Sequence, residues 1–286
     1  MSFFRSLLML CALFAALPAS AEPAFVFTAI PDQDERLLQQ RFGKVAAYLE
    51  QQLGVPVKYL PVNSYAAAVT AFRNNQVQLA WFGGLSGVQA RARVPGSQAI
   101  AQGVEDTAFR SYIIAHRSSG LSAAESLTDE LKGLRFTFGS KGSTSGRLMP
   151  EFFLREHFGQ APAALFSKVG FSGDHSRTIA LVESGAYEAG AVNFQVWERA
   201  VKEQRVDTDK VQVVWRSPTY PDYQWTIRGD VNQRWGDGFA DKVQAALLSM
   251  TAPELLSAFP RSGFIPATNE EFEPIADTAR NIGLMD

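Results

Sequence analysis

Apolar positions recur along the chain with two periods. Ala24-Phe-Val-Phe-Thr-Ala-Ile30 is a continuous apolar run of the kind that forms a strand buried on both faces, and Pro31 stops it. Leu38, Phe42, Val45, Leu49 and Leu53 then return every three or four residues, which predicts a helix with one apolar face, ended by Gly54. Val55 to Leu60 reads as a second strand. Asn63-Ser64 would cap a helix opening at Tyr65-Ala-Ala-Ala-Val-Thr-Ala-Phe72, and Val77 to Phe82 is a strand halted by Gly83-Gly84. The grammar restarts with a strand at Ser111–Ala115, a helix at Ser122–Leu131, a strand at Leu134–Phe138 and a helix at Gly146–Phe158. It continues with strands at Lys168–Phe171, Glu188–Val192 and Val211–Trp215, separated by helices at His175–Ser184 and Phe194–Glu203. Tyr223–Arg228 predicts a last strand, and Phe239–Met250 and Glu271–Ile282 predict surface-packed helices.

Strands alternating with helices predict an α/β chain, and two sheets' worth of strands predict two lobes, each a mainly parallel sheet flanked by helices. Two stretches lack helical periodicity: Glu105–Arg110, and Ser217-Pro-Thr-Tyr-Pro-Asp222, whose prolines impose extended backbone. Taken as hinge crossings, they divide the chain into lobe 1 (22–108 plus 223–286) and lobe 2 (109–222). Ligands of open α/β sheets sit beyond the carboxyl ends of strands, and a cleft between two lobes collects such ends from both.

The first residues change the picture. Arg5, an apolar run from Leu7 to Leu17, and small residues at Ala19 and Ala21 predict a signal peptide over 1–21, cleaved after Ala21, and so an exported, periplasmic chain. The single cysteine, Cys11, falls inside that segment, which leaves no disulfide or thiolate metal site; the scattered histidines argue against zinc, and no cofactor signature is present. Loss of Arg5 would take the formal charge from −2 to −3, so there is no basic excess to hold nucleic acid.

The candidate chemistry centres on Phe136-Thr-Phe-Gly-Ser-Lys-Gly-Ser-Thr-Ser-Gly-Arg-Leu-Met-Pro150, where an apolar strand runs through a Gly/Ser/Thr loop into a helix. The first N–H groups of a helix lack intrahelical partners and carry the positive end of its dipole, so an oxyanion can be held there, aided by the hydroxyls of Ser143, Thr144 and Ser145. The alternative is that these hydroxyls only cap the helix. The other predicted strand ends carry Ile30-Pro-Asp32, Asn63-Ser-Tyr65, Trp81-Phe-Gly-Gly84, Ser172-Gly-Asp-His175 and Asn193, a set rich in neutral dipoles and poor in lysine and arginine. Tyr65 reads as a ligand contact or a core aromatic; of Trp81 and Phe82, one should face the core; His175 is a ligand or an exposed helix start. Asp222 would accept a proton from a protonated oxyanion, or cap the turn at Tyr223. A hydrolase using Ser143, His175 and Asp222 is the rival reading, although no Gly-x-Ser-x-Gly elbow is present. A receptor signalling to a kinase is a third.

Ile30-Pro-Asp, Tyr65-Ala-Ala-Ala-Val, Ala80-Trp-Phe-Gly-Gly, the Gly139–Pro150 loop and Ser172-Gly-Asp-His resemble, in order and spacing, the phosphonate-type periplasmic substrate-binding proteins of ABC importers. The Ser-Thr-Ser-Gly loop and Trp-Phe-Gly-Gly look closest to a branch labelled selenate-binding. The resemblance implies a type II periplasmic binding fold, not an enzyme: a monomer that closes on a small tetrahedral oxyanion and delivers it to an inner-membrane ABC permease. It implies Ser143, Thr144, Ser145, Tyr65 and His175 as ligands; Trp81, Phe82, Gly83, Asn193 and Asp222 complete the candidate set. Asn193-Phe-Gln195 stands where a carboxylate would meet the amine of an aminophosphonate, which argues against that ligand. Selenate and sulfate offer only acceptors, whereas phosphate, phosphite and phosphonate can keep a proton that seeks a carboxylate.

Overall fold

The computed structural model describes residues 23–33 and 35–285; the signal peptide expected over 1–21 lies outside them. The first half of sheet one is built from β1 (Phe25–Ala29), α1 (Glu35–Leu53), β2 (Val57–Tyr59), α2 (Tyr65–Arg73), β3 (Leu79–Phe82), α3 (Gly84–Arg93) and β4 (Gln98–Gly103). The chain then crosses to a second sheet made by β5 (Ser111–His116), β6 (Arg135–Phe138), α4 (Met149–Phe158), α5 (Pro162–Leu165), β7 (Lys168–Phe171), α6 (His175–Glu183), β8 (Ala189–Asn193), α7 (Phe194–Lys202) and β9 (Val211–Arg216). It returns to the first through β10 (Gln224–Ile227), α8 (Val231–Trp235), α9 (Phe239–Leu248), α10 (Pro253–Leu256), β11 (Phe264–Pro266) and α11 (Glu273–Asn281).

The expected α1 stripe holds: Leu38, Phe42, Val45, Leu49 and Leu53 are all buried, with Phe42 stacked on Tyr59. A continuous core runs beneath sheet one, from Phe25 and Phe27 through Trp81 and Trp225 to Phe259 and Phe272, and two smaller clusters line the faces of sheet two. Ser122–Leu131, expected as a helix, contains only one 3-10 turn at Asp129–Leu131, while α3 and β4 had no sequence prediction.

The sheets themselves differ from expectation. Sheet one runs β11-β4-β10-β3-β1-β2 and sheet two β7-β6-β8-β5-β9. Only β1 with β2 and β3, and β6 with β7 and β8, are parallel; β10 is antiparallel to both β3 and β4, and β5 to both β8 and β9. The sheets are therefore mixed rather than mainly parallel. The first crossing turns through a 3-10 helix at Val104–Ala108, where the sequence predicts no helix, and the second is extended; each feeds β5 or β10 directly, without the crossover helix that a parallel neighbour requires.

Those crossings run side by side. Phe109 and Tyr220 exchange two backbone hydrogen bonds of 2.9 and 3.1 Å, and the Asp222 N–H donates to the Asp106 carbonyl at 3.0 Å. The two crossings thus form a short ribbon, and Asp222 sits on it, hydrogen-bonded to the start of α3.

Candidate functional site

Beyond β6 the Gly139–Gly146 loop folds on itself: the Gly139 N–H donates to the Gly146 carbonyl at 2.8 Å, and the Ser143 hydroxyl accepts from the Gly146 N–H at 3.0 Å. The helix does not start as an α-helix. Leu148 N–H bonds back five residues to Ser143 O, and Met149 N–H to Thr144 O, giving a π turn over Thr144–Leu148 before α4 proper. Such wide turns are rare, and they are frequent at functional sites. The turn is anchored by Arg147, whose guanidinium lies 4.9 Å from the Phe138 ring centroid and 4.8 Å from that of Phe171, and which pairs with buried Glu151. Nothing larger than glycine fits at Gly146, where a Cβ would lie 2.9 Å from His175 Cε1 and 3.2 Å from the Gly139 Cα. Gly146→Ala is therefore expected to cost about 1–3 kcal/mol, read as a lower urea midpoint at unchanged slope.

Three further helices begin around this loop. α2 starts at Tyr65, capped by the Ser64 hydroxyl; α3 starts behind Gly83; α6 starts at His175, capped by Asp174. Bonds between the lobes bind these starts together: the Leu85 N–H donates to Thr144 Oγ1 at 3.0 Å, and the His175 N–H to the Asp32 carbonyl at 3.0 Å. The hinge joins in through Asp222 Oδ1, which accepts from the Gly84 N–H at 2.9 Å. Several positive dipole ends therefore gather around the Gly139–Gly146 loop.

Four polar side-chain atoms around the loop are buried without a hydrogen-bond partner: Tyr65 Oη, Ser145 Oγ, His175 Nε2 and Asp222 Oδ2. Orphaned buried polar groups are costly, so a cluster of them signals a missing polar guest. Their protonation states follow from the surroundings. His175 Nδ1 accepts the Asn193 N–H at 3.3 Å, and burial pushes the imidazole pKa down to about 3, so the ring is neutral and its proton is on Nε2, a buried donor without a partner. Burial raises the Asp222 carboxyl to about 7, against the opposing pull of the Gly84 N–H and the Thr144 hydroxyl. The cluster is three donors and one carboxyl oxygen poised between acceptor and donor.

The predicted residues divide into those at this cluster and those held elsewhere. Tyr65, Ser145, His175 and Asp222 supply its free atoms; Gly83 lies against it, since a Cβ there would be 3.2 Å from Asp222 Oδ1 and 3.3 Å from Thr144 Oγ1. Ser143 Oγ accepts as a cap and Thr144 Oγ1 accepts a bond between the lobes, and each hydroxyl keeps its own proton to donate. Trp81 and Phe82 are taken up by the core: Trp81 stacks on Tyr223 and packs against Trp225, Phe259 and Phe264, and Phe82 meets Phe72 on the other face. The Asn193 side chain caps α7 through Gln195 and Val196 and donates to the Tyr223 hydroxyl, so only its backbone serves the cluster, by fixing His175. The hydrolase geometry fails for the same reason: the His175 nitrogen that an orienting acid would engage already accepts a backbone N–H, and Ser143 Oγ is a helix cap.

Sequence reading missed the start of α3 and the network in which Tyr223 donates to Asp32 Oδ2 at 2.8 Å. The signal for the first was present: Gly83-Gly84-Leu-Ser86 follows a strand just as Gly142-Ser-Thr-Ser-Gly146 does, a strand-to-helix junction with room for an anion.

The family described as "ABC transporter, phosphonate, periplasmic substrate-binding protein" matches residues 27–272. A probable ABC transporter phosphite binding protein, PhnD1, from Prochlorococcus marinus MIT 9301 is 42% identical over 261 residues, covering 89% of this chain and 88% of its own. The structure of PhnD1 from that organism in complex with methylphosphonate superposes with a TM-score of 0.86 at 40% identity, over 91% of this chain and 98% of that one. A binding protein component of an ABC phosphonate transporter from Pseudomonas aeruginosa shares the fold, with a TM-score of 0.79 at 22% identity over 90% of this chain and 85% of that one.

Proposed function

This chain belongs to the phosphonate periplasmic substrate-binding proteins of ABC transporters, and from that premise we propose that it captures phosphite or a phosphonate no larger than methylphosphonate. The carrying observation is the cluster of four orphaned atoms. Tyr65, Ser145 and His175 would donate to three lone-pair positions of the anion, and Asp222 Oδ2 would take the proton that a hydrogen phosphite or hydrogen phosphonate still carries. The phosphite and methylphosphonate of the PhnD1 relative and its structure fit that donor and acceptor count. Small size is supported by the burial of the cluster: Tyr65, Ser145, His175 and Asp222 are each exposed by 2% or less, and the two lobes touch beside them where a Cβ on Gly142 would lie 3.1 Å from Tyr65 Cβ.

The moving bodies in this reading are 22–108 with 223–286, and 109–222, turning on the paired crossings. Open, they admit the anion; closed, they exclude water and present the protein to its permease in the periplasm. The chamber is completed by this chain's own residues, which suits a monomer. Binding should raise the melting temperature by roughly 5–10 °C at a methylphosphonate concentration about 100 times the Kd. Ser145→Ala is expected to weaken methylphosphonate binding about tenfold by calorimetry, with the fold intact by circular dichroism. A variant that binds like the wild type would remove Ser145 from the site, and the absence of any shift in the wild type with phosphite or methylphosphonate would end the reading.

A further inference from the structure

Outside the point where Gly142 meets Tyr65, the rim of the cleft stays open as a depression of 560 Å³. Its walls come from α2 and α3 on one side and from the Gly139–Gly146 loop and Phe171 on the other, and Tyr65 belongs to both depression and cluster. Three exposed cations line it, Arg73, Arg93 and Lys141, and no carboxylate does. Each is held without being neutralised: Arg73 Nε donates to Asn74 Oδ1, Arg93 to the Gln89 carbonyl, and the Lys141 ammonium lies 5.2 Å from the Phe171 centroid. None of the three enters an ion pair among the described residues. On a chain of net charge −2, a focused basic rim stands out against its surroundings, while the cluster behind it is served by neutral donors.

We infer that this rim is an electrostatic vestibule, which gathers small oxyanions from solution and passes them inward beside Tyr65, and that its three cations set the capture rate. The inference rests on the oxyanion reading above. The division of labour has a physical basis. A cation in contact with the bound anion would slow its release to the permease, whereas one at the rim acts at a distance, raising the local anion concentration before the lobes shut.

Stopped-flow tryptophan fluorescence with methylphosphonate tests it. The triple variant R73Q/R93Q/K141Q is expected to associate about fivefold more slowly than wild type at low ionic strength, with the gap shrinking toward unity near 0.5 M salt as screening sets in. A control carrying the same charge change outside the depression, K44Q/K58Q/K202Q, should associate like wild type. Equal association rates for the triple variant and wild type, or a loss confined to faster dissociation, would overturn the vestibule; so would an equal slowing in the control. Failure of the wild type to bind at all would instead bring down the ligand reading, so the two failures are distinguishable.

Discussion

Sulfate, followed by competition against methylphosphonate, is expected to bind more weakly by about tenfold for each pH unit above 7, while methylphosphonate itself declines only as its own last proton leaves. The expectation comes from Asp222, whose carboxyl burial has raised to about 7 and whose Oδ2 has no partner. The sign follows from linkage. A carboxyl with a raised pKa favours the closed state while it is protonated, and that support is lost as pH rises through the raised value. Hydrogen phosphonate brings the shared proton with it, but sulfate brings none, so closure over sulfate must draw a proton from solution onto Asp222. Asp222→Asn cannot take that proton. The variant is expected to bind methylphosphonate at least about tenfold more weakly, since a charge-assisted bond is gone, and to bind sulfate with no pH slope. A flat sulfate profile in the wild type would show that Asp222 does not face the anion.

Asp106→Ala is expected to cost about 3–5 kcal/mol of stability, a drop of roughly 10 °C in melting temperature. The Asp106 carboxylate accepts from Arg261 Nε at 2.7 Å and Nη2 at 2.6 Å, and also from the Gly103 N–H at 3.0 Å; the two side chains are 0% and 2% exposed. The guanidinium lies over the rings of Trp81, Phe109 and Tyr223, so truncating its partner strands a dry cation among aromatics. Replacing both partners, Asp106→Leu with Arg261→Met, should recover most of the loss, because neither charge is then left unpaired. A cost below about 1 kcal/mol for the single variant would mean that the pair behaves as a solvated surface bridge and not as a buried one. The same variant tests the hinge. Asp106 O receives the Asp222 N–H, so loosening the first crossing should also weaken methylphosphonate binding.

These two carboxylates share one ribbon of backbone and have opposite fates. Asp106 is matched by a buried cation and is structural; Asp222 is matched only by neutral donors and keeps one oxygen free. Neither fate can be read from the sequence, where Asp106 is one acidic residue in Glu-Asp-Thr and Asp222 lies between a proline and a tyrosine. Arg261 is 155 residues from the aspartate it neutralises.

Local interactions made much of the architecture legible. The apolar run of β1, the stripe of α1, the Ser64 cap, the helix start at His175 and the proline-bound second crossing each depend on neighbours within a few residues, so period and turn chemistry located them in the amino-acid string. The Gly139–Gly146 loop was likewise visible as a strand-to-helix junction rich in hydroxyls. What the chain could not announce was which hydroxyl stays free. Ser143, Thr144 and Ser145 are equivalent in the sequence, but the wide π turn makes Ser143 Oγ the acceptor of the cap and the approach of Leu85 from the other lobe makes Thr144 Oγ1 an acceptor, so that of the three only Ser145 Oγ is without any partner. Trp81 and Phe82 were candidates by position and became core because β3 is an interior strand of its sheet, with helices and C-terminal aromatics covering both faces. The direction of β5 and β10 was also decided by the fold, since it depends on where the crossings enter each sheet. Sequence alone thus determined most of the elements, the two-lobed plan and the strand-to-helix loop after β6, but not α3, β4 or the irregular stretch at 122–131. Tertiary structure decided the partner of each polar atom, because that depends on distances between residues far apart along the chain.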